Sequence, residues 1–118
     1  MGDDTASWAV DGLRKKLWHK GHKSHRSSWG GAWRPGDVIG IAVDLERGTM
    51  SVSVNGSFAP PNGAAFDCVR PGPTVGSAVY PALSASSMKV EVNFGLDPER
   101  PLVFAPPWGQ QDSLQVRE

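Results

Sequence analysis

Residues 36–56 read GDVIGIAVDLERGTMSVSVNG, and the order of apolar and polar residues within them decides the fold class. The stretch predicts two strands, Asp37–Val43 and Thr49–Val54, joined by the turn residues Asp44-Leu45-Glu46-Arg47-Gly48 and closed by the turn pair Asn55-Gly56. Met50, Val52 and Val54 fall on one face of the second strand, while Thr49, Ser51 and Ser53 fall on the other. That period of two is the mark of a half-buried strand. The rest of the chain must cover its apolar face.

At 118 residues the chain has room for one domain. Its 14 Gly and 10 Pro recur along the sequence at intervals that favour short strands over helices. An all-β architecture follows as the expectation. Upstream, Trp8-Ala9-Val10 predicts a brief strand ended by Asp11-Gly12, and Leu13–His19 a second one with a solvated face. Residues 20–31 lack any apolar period and read as a long loop. Downstream, residues 57–77 hold Pro60-Pro61, Asn62-Gly63 and Pro71-Gly72-Pro73 and read as surface connection, with Ala64-Ala65-Phe66 as the one apolar cluster. Val79–Ser84 and Met88–Phe94 predict the last strands, with Ala85-Ser86-Ser87 as a hairpin loop between them. The prolines at 98, 101, 106 and 107 exclude a helix or central strand there, and the polar residues from 109 onward predict a frayed end.

Twelve basic and twelve acidic residues cancel, so no global field concentrates a nucleic acid or an anionic membrane. Arg14, Lys15, Lys16, Lys20, Lys23 and Arg26 nevertheless cluster within one short segment. Single-strand nucleic-acid binders pair such charge with stacking platforms, and only Trp18 and Trp29 lie close enough to serve, so a solvated face and loop is the favoured reading. One cysteine, Cys68, excludes an internal disulfide, and the acidic Met1-Gly2-Asp3-Asp4 start does not read as a signal peptide. Both favour a cytoplasmic or nuclear location. No apolar run reaches the roughly 20 residues of a bilayer span, so membrane insertion is not expected.

His19, His22 and His25 recur at spacings of three, which would gather a metal on a helix. Gly21 and Ser24 between them argue for a loop, and no carboxylate stands among them, so no metal or other cofactor is expected. Cys68 lacks a nucleophile's local signature, and neither a G-x-S-x-G nor a P-loop motif occurs. The chain therefore reads as a non-enzyme with no catalytic residue. Trp8 and Trp33 adjoin strand signals and read as core. Trp29, between Arg26-Ser27-Ser28 and Gly30-Gly31, reads equally as a lid on the core or as an anchor for a partner.

The order of these pieces resembles the SPRY domain of ryanodine receptors, SOCS-box adaptors and several ubiquitin ligases. Ser7-Trp8-Ala9-Val10-Asp11-Gly12 looks like that family's SWAYDG segment, Lys16-Leu17-Trp18-His19 like its K-x-W-H strand, and Trp29-Gly30-Gly31-Ala32-Trp33 like its aromatic-Gly-x-x-Trp approach. Gly36-Asp37-Val38-Ile39-Gly40 is similar to its GDVIG signature, continued by Asp44-Leu45, Gly48-Thr49 and Asn55-Gly56. Ala65-Phe66, Tyr80-Pro81-Ala82-Leu83-Ser84 and Val92-Asn93-Phe94-Gly95 resemble its AF, YPAVS and VNFG.

The resemblance implies a twisted antiparallel β-sandwich of the concanavalin-like SPRY type, with the domain at residues 3–105 and a polar tail at 106–118. It also implies that the strands which precede SWAYDG in the family are missing, so that uncovered sheet edges would favour self-association. Gly95-Leu96-Asp97-Pro98-Glu99 resembles the continuation found in the SOCS-box subgroup, which grips an Asn-rich peptide with, among others, a Trp in a late loop. Ser87 stands about where that Trp would fall, so the same peptide specificity is not implied.

The function implied is a protein-protein interaction module, recognising a peptide or protein surface, within a larger scaffold, channel or ubiquitin-ligase adaptor. Loops carry specificity on a rigid scaffold, which selects His25, Arg26 and Trp29 in the long loop and Ser86 and Ser87 in the late one. The alternative is a glycan-binding or glycan-cleaving lectin-like sandwich.

Overall fold

The computed structural model describes residues 2, 4–20, 29–72, 77–107 and 113–117. Among the described residues there is no helix. The strands are β1 (Ala9–Asp11), β2 (Lys16–Trp18), β3 (Val38–Asp44), β4 (Thr49–Val54), β5 (Gly63–Phe66), β6 (Glu91–Asn93) and β7 (Ser113–Arg117). β1 and β2 form a small antiparallel sheet. The others form a five-stranded sheet in the order β5-β4-β3-β7-β6, with every pairing antiparallel.

The central hairpin pairs in the register Ile39↔Val54, Ile41↔Val52 and Val43↔Met50, which stacks apolar residues opposite one another on one face. Leu17, Ile39, Met50, Val52, Ala65 and Val69 form the buried core, with Trp8, Val10, Trp29, Trp33, Ile41, Val43, Val54, Phe66, Val79 and Val90 packed around it. Leu17 of β2 thus brings the small sheet onto the apolar face of the large one, as a two-layer all-β sandwich requires. β3 is covered on its other face too: Val38 and Ala42 are buried, and Ser53 is buried opposite Gly40. A Cβ at Gly40 would collide with the Ser53 hydroxyl, so the glycine makes room for that side chain.

The Asn55-Gly56 pair closes a two-residue hairpin between Val54 and Ser57. Both residues have positive φ, 51° and 83°, the backbone of a type I′ turn. Aspartate side chains hold two further turns. Asp11 accepts from the N–H groups of Leu13 and Arg14, and Asp44 from that of Arg47.

Four segments differ from the sequence reading. Val79–Ser84 is not a strand; Val79 reaches the core, but Pro81 brings no N–H for a ladder, and Tyr80 and Leu83 are exposed. Met88–Phe94 is a strand only at Glu91–Asn93, where β7 pairs with it, so Ala85–Ser87 is not a hairpin loop between neighbouring strands. Residues 63–66, of which the sequence reading set apart only the apolar cluster Ala64-Ala65-Phe66 within a surface connection, form β5, which pairs with β4 through a bulge at Met50/Ser51. In the segment read as a polar tail, Ser113–Arg117 lies between β3 and β6.

Candidate functional site

Trp29 is held to the body at two points. Its backbone N–H donates to the Lys15 carbonyl at 2.8 Å, and its indole Nε1–H donates to the Ala64 carbonyl of β5 at 3.2 Å. Half-buried, its ring packs against the core, so the lid role read from the sequence has a structural basis. The following Gly30 has φ of 73°, and a side chain there would touch Asn62 Oδ1 and the Pro61 carbonyl. The 58–63 turn beneath it is tight: Asn62 N–H donates to the Ala59 carbonyl at 3.0 Å. Gly63, with φ of 97°, approaches the Phe58 carbonyl so closely that a Cβ would collide with it. Asn62 thereby becomes part of the site's floor, with its buried Oδ1 lacking a hydrogen-bond partner. The Asn62-Gly63 dipeptide was legible as a turn, but its position under residues 29–30 was not.

His25 and Arg26 lie outside the described residues, as does His22. Ser86 and Ser87 are exposed, in a run of solvent-facing residues from Tyr80 to Lys89, and Ser87 has a left-handed φ of 57°. This run leads into β6, whereas the indole of Trp29 is fastened to β5. β5 and β6 are the two opposite edges of the five-stranded sheet. Four strand spacings of roughly 4.8 Å separate them, about 19 Å in all. The structure therefore does not gather the late-loop serines and Trp29 into one cluster.

His19 is a core residue. It is 5% exposed, and its Nδ1 lies 2.8 Å from the Ser7 carbonyl, which can only accept, so Nδ1 carries the proton. Trp8 stacks on one side of the ring and Phe66 meets it edge-on. Of the basic cluster, Lys16 sets its ammonium 5.5 Å from the Trp18 ring centroid, and Arg14 lies 3.9 Å from Asp11. Both cations are thus engaged on the body of the protein. Among the described residues no three His, Cys, Asp or Glu side chains come together in a way that could hold a metal.

The SPRY domain family model matches residues 1–97. This chain belongs to the SPRY family. SPRY domains are, in general, modules of protein interaction. Over 100 residues this SPRY chain is 38% identical to the E3 ubiquitin-protein ligase RKP of Arabidopsis thaliana, a match that covers 83% of the chain and 7% of that relative. The chain thus spans a small part of the relative's length. No solved structure gives a significant match.

Proposed function

We infer that this SPRY chain recognises a peptide or protein surface through its loops and serves as the partner-selecting part of a larger scaffold or ubiquitin ligase in the cytoplasm or nucleus. The observation that carries this reading is the double tether of Trp29 to Lys15 and Ala64, which fixes one end of the long loop on a rigid sheet. Binding a partner through His25 and Arg26, which precede this anchor in the sequence, would cost less ordering entropy than binding through a segment free at both ends. The similarity to a ligase supports substrate selection as the setting. Ser86 and Ser87, on the exposed run before β6, provide a second contact for a partner broad enough to reach both sheet edges.

A displayed random-peptide library selected against the whole chain tests this. The expected result is a peptide class whose binding falls at least about tenfold with Arg26→Ala or His25→Ala, as loss of hot-spot contacts does, with unchanged Tm. Peptides that bind every loop variant alike would overturn the reading. So would specific sugar binding on a glycan array that disappears with Trp29→Ala in a chain that still folds.

A further inference from the structure

Met88, Val90, Val92 and Phe94 alternate with Lys89, Glu91 and Asn93 as a seven-residue strand would, yet among the described residues only Glu91–Asn93 is paired, and only with β7. Among the described strands β6 is the last of its sheet, so its outer edge faces away from the other described strands. Along it Met88 and Phe94 are 52% and 47% exposed, and Tyr80, Leu83 and Leu96 nearby in sequence are exposed as well.

We propose that the outer edge of β6 pairs with β6 of a second copy of this chain, antiparallel, about a two-fold axis at Val90. The charges select both the occupant and the register. With Val90 opposite Val90, Lys89 lies opposite Glu91 of the second copy and Glu91 opposite its Lys89, while Met88 faces Val92. Centring the axis on Glu91 or on Lys89 instead opposes like charges. Centring it on Val92 sets Lys89 against Gly95 and Glu91 against Asn93, which leaves both charges without an opposite partner. Opposite charges directly across an antiparallel pair stabilise it and like charges weaken it. Arg100 already lies 2.7 Å from Glu91, so Lys89 of the second copy would extend that pair into a network. A formal net charge of zero adds no repulsion between the copies.

Analytical ultracentrifugation of the chain tests the pairing. The expected result is a closed dimer, weakened about tenfold by Lys89→Glu, which leaves the Arg100–Glu91 pair intact. The double reversal Lys89→Glu/Glu91→Lys, made in a chain carrying Arg100→Gln so that the lysine at position 91 does not face a like charge, should bring the dimer back to within about twofold of the affinity of the Arg100→Gln chain, because a two-fold axis restores both pairs at once. Amide exchange of residues 88–93 in the unaltered chain should slow as its concentration rises through the dimer's Kd. A monomer at high micromolar concentration, species that grow without limit, failure of the double reversal to rescue, or exchange independent of concentration would each overturn the proposal.

Discussion

The indole of Trp8 lies nearly flat on the imidazole of His19, with ring centroids 5.1 Å apart and planes 13° from parallel. The stack closes the small sheet over the core, and the Nδ1–H bond to Ser7 fixes the imidazole's rotation. His19→Phe keeps an aromatic ring against Trp8 but leaves the Ser7 carbonyl without its donor, and should cost about 1–3 kcal/mol. His19→Ala loses the packing too and should cost about 3–5 kcal/mol, near the limit of what a small domain tolerates. Urea unfolding of the two variants checks both the order and the size of the effects.

Asn55 holds the 54–57 turn in three ways. Its left-handed φ suits the turn, its Oδ1 accepts from Val38 N–H at 2.9 Å, and its Nδ2 donates to Asp37 Oδ1 at 2.9 Å. Asn55→Gly preserves the backbone and loses the side-chain bonds, and should cost about 1 kcal/mol. Asn55→Ala adds backbone strain and should cost about 2–3 kcal/mol. Equal losses for the two, measured by thermal unfolding, would contradict a role for the backbone conformation.

Gly12 sits beneath the ring of Trp33, close enough that a Cβ would collide with it, and Trp33 N–H donates to the Gly12 carbonyl at 3.1 Å. Gly12→Ala must push the indole off its seat on the core, an overpacking cost of about 1–3 kcal/mol. A fall in Tm of roughly 10 °C is expected for a domain of this size. Tryptophan fluorescence should report the displaced ring.

The Asp4 carboxyl is held below its ordinary value of 3.8, first by the Ser7 hydroxyl and then by the Ala6 N–H, both donating to Oδ1 at 2.8 and 2.9 Å. A depressed carboxyl contributes stability that is present above the unfolded value of 3.8 and is lost as pH falls through the folded one. Ser7→Ala should raise the Asp4 value toward 3.8 and flatten the acid side of the stability profile. An NMR titration of the Asp4 carboxyl carbon reads this directly; an unmoved titration would assign the shift to another group.

Local chemistry made the central hairpin legible. The alternation at Met50, Val52 and Val54 placed β4 within its observed bounds, and Asn55-Gly56 marked a turn that the structure closes in two residues. The motifs from Ser7 to Gly95 pointed to the family that the comparison then showed. β5 was hidden because Gly63 and its neighbouring prolines signal connection, and its pairing with β4 depends on a bulge that no period of two reveals. β7 was hidden because polar residues in a strand say nothing of where its partners lie. For the site, Trp29 was balanced between lid and anchor, and only its bonds to Lys15 and Ala64 disclosed what it rests on.

The sequence by itself determined the all-β class, the central hairpin and the family, because period, turn residues and motif order are local properties that a linear reading can hold. Tertiary structure alone decided which strands are neighbours, that β5 and β6 are opposite edges, and that Trp29 is fastened near one while Ser86 and Ser87 lead into the other. The physical reason is that sheet order comes from pairing between segments far apart in the chain. The free energy of that pairing depends on which face each strand can bury against the others, and no single segment contains that information.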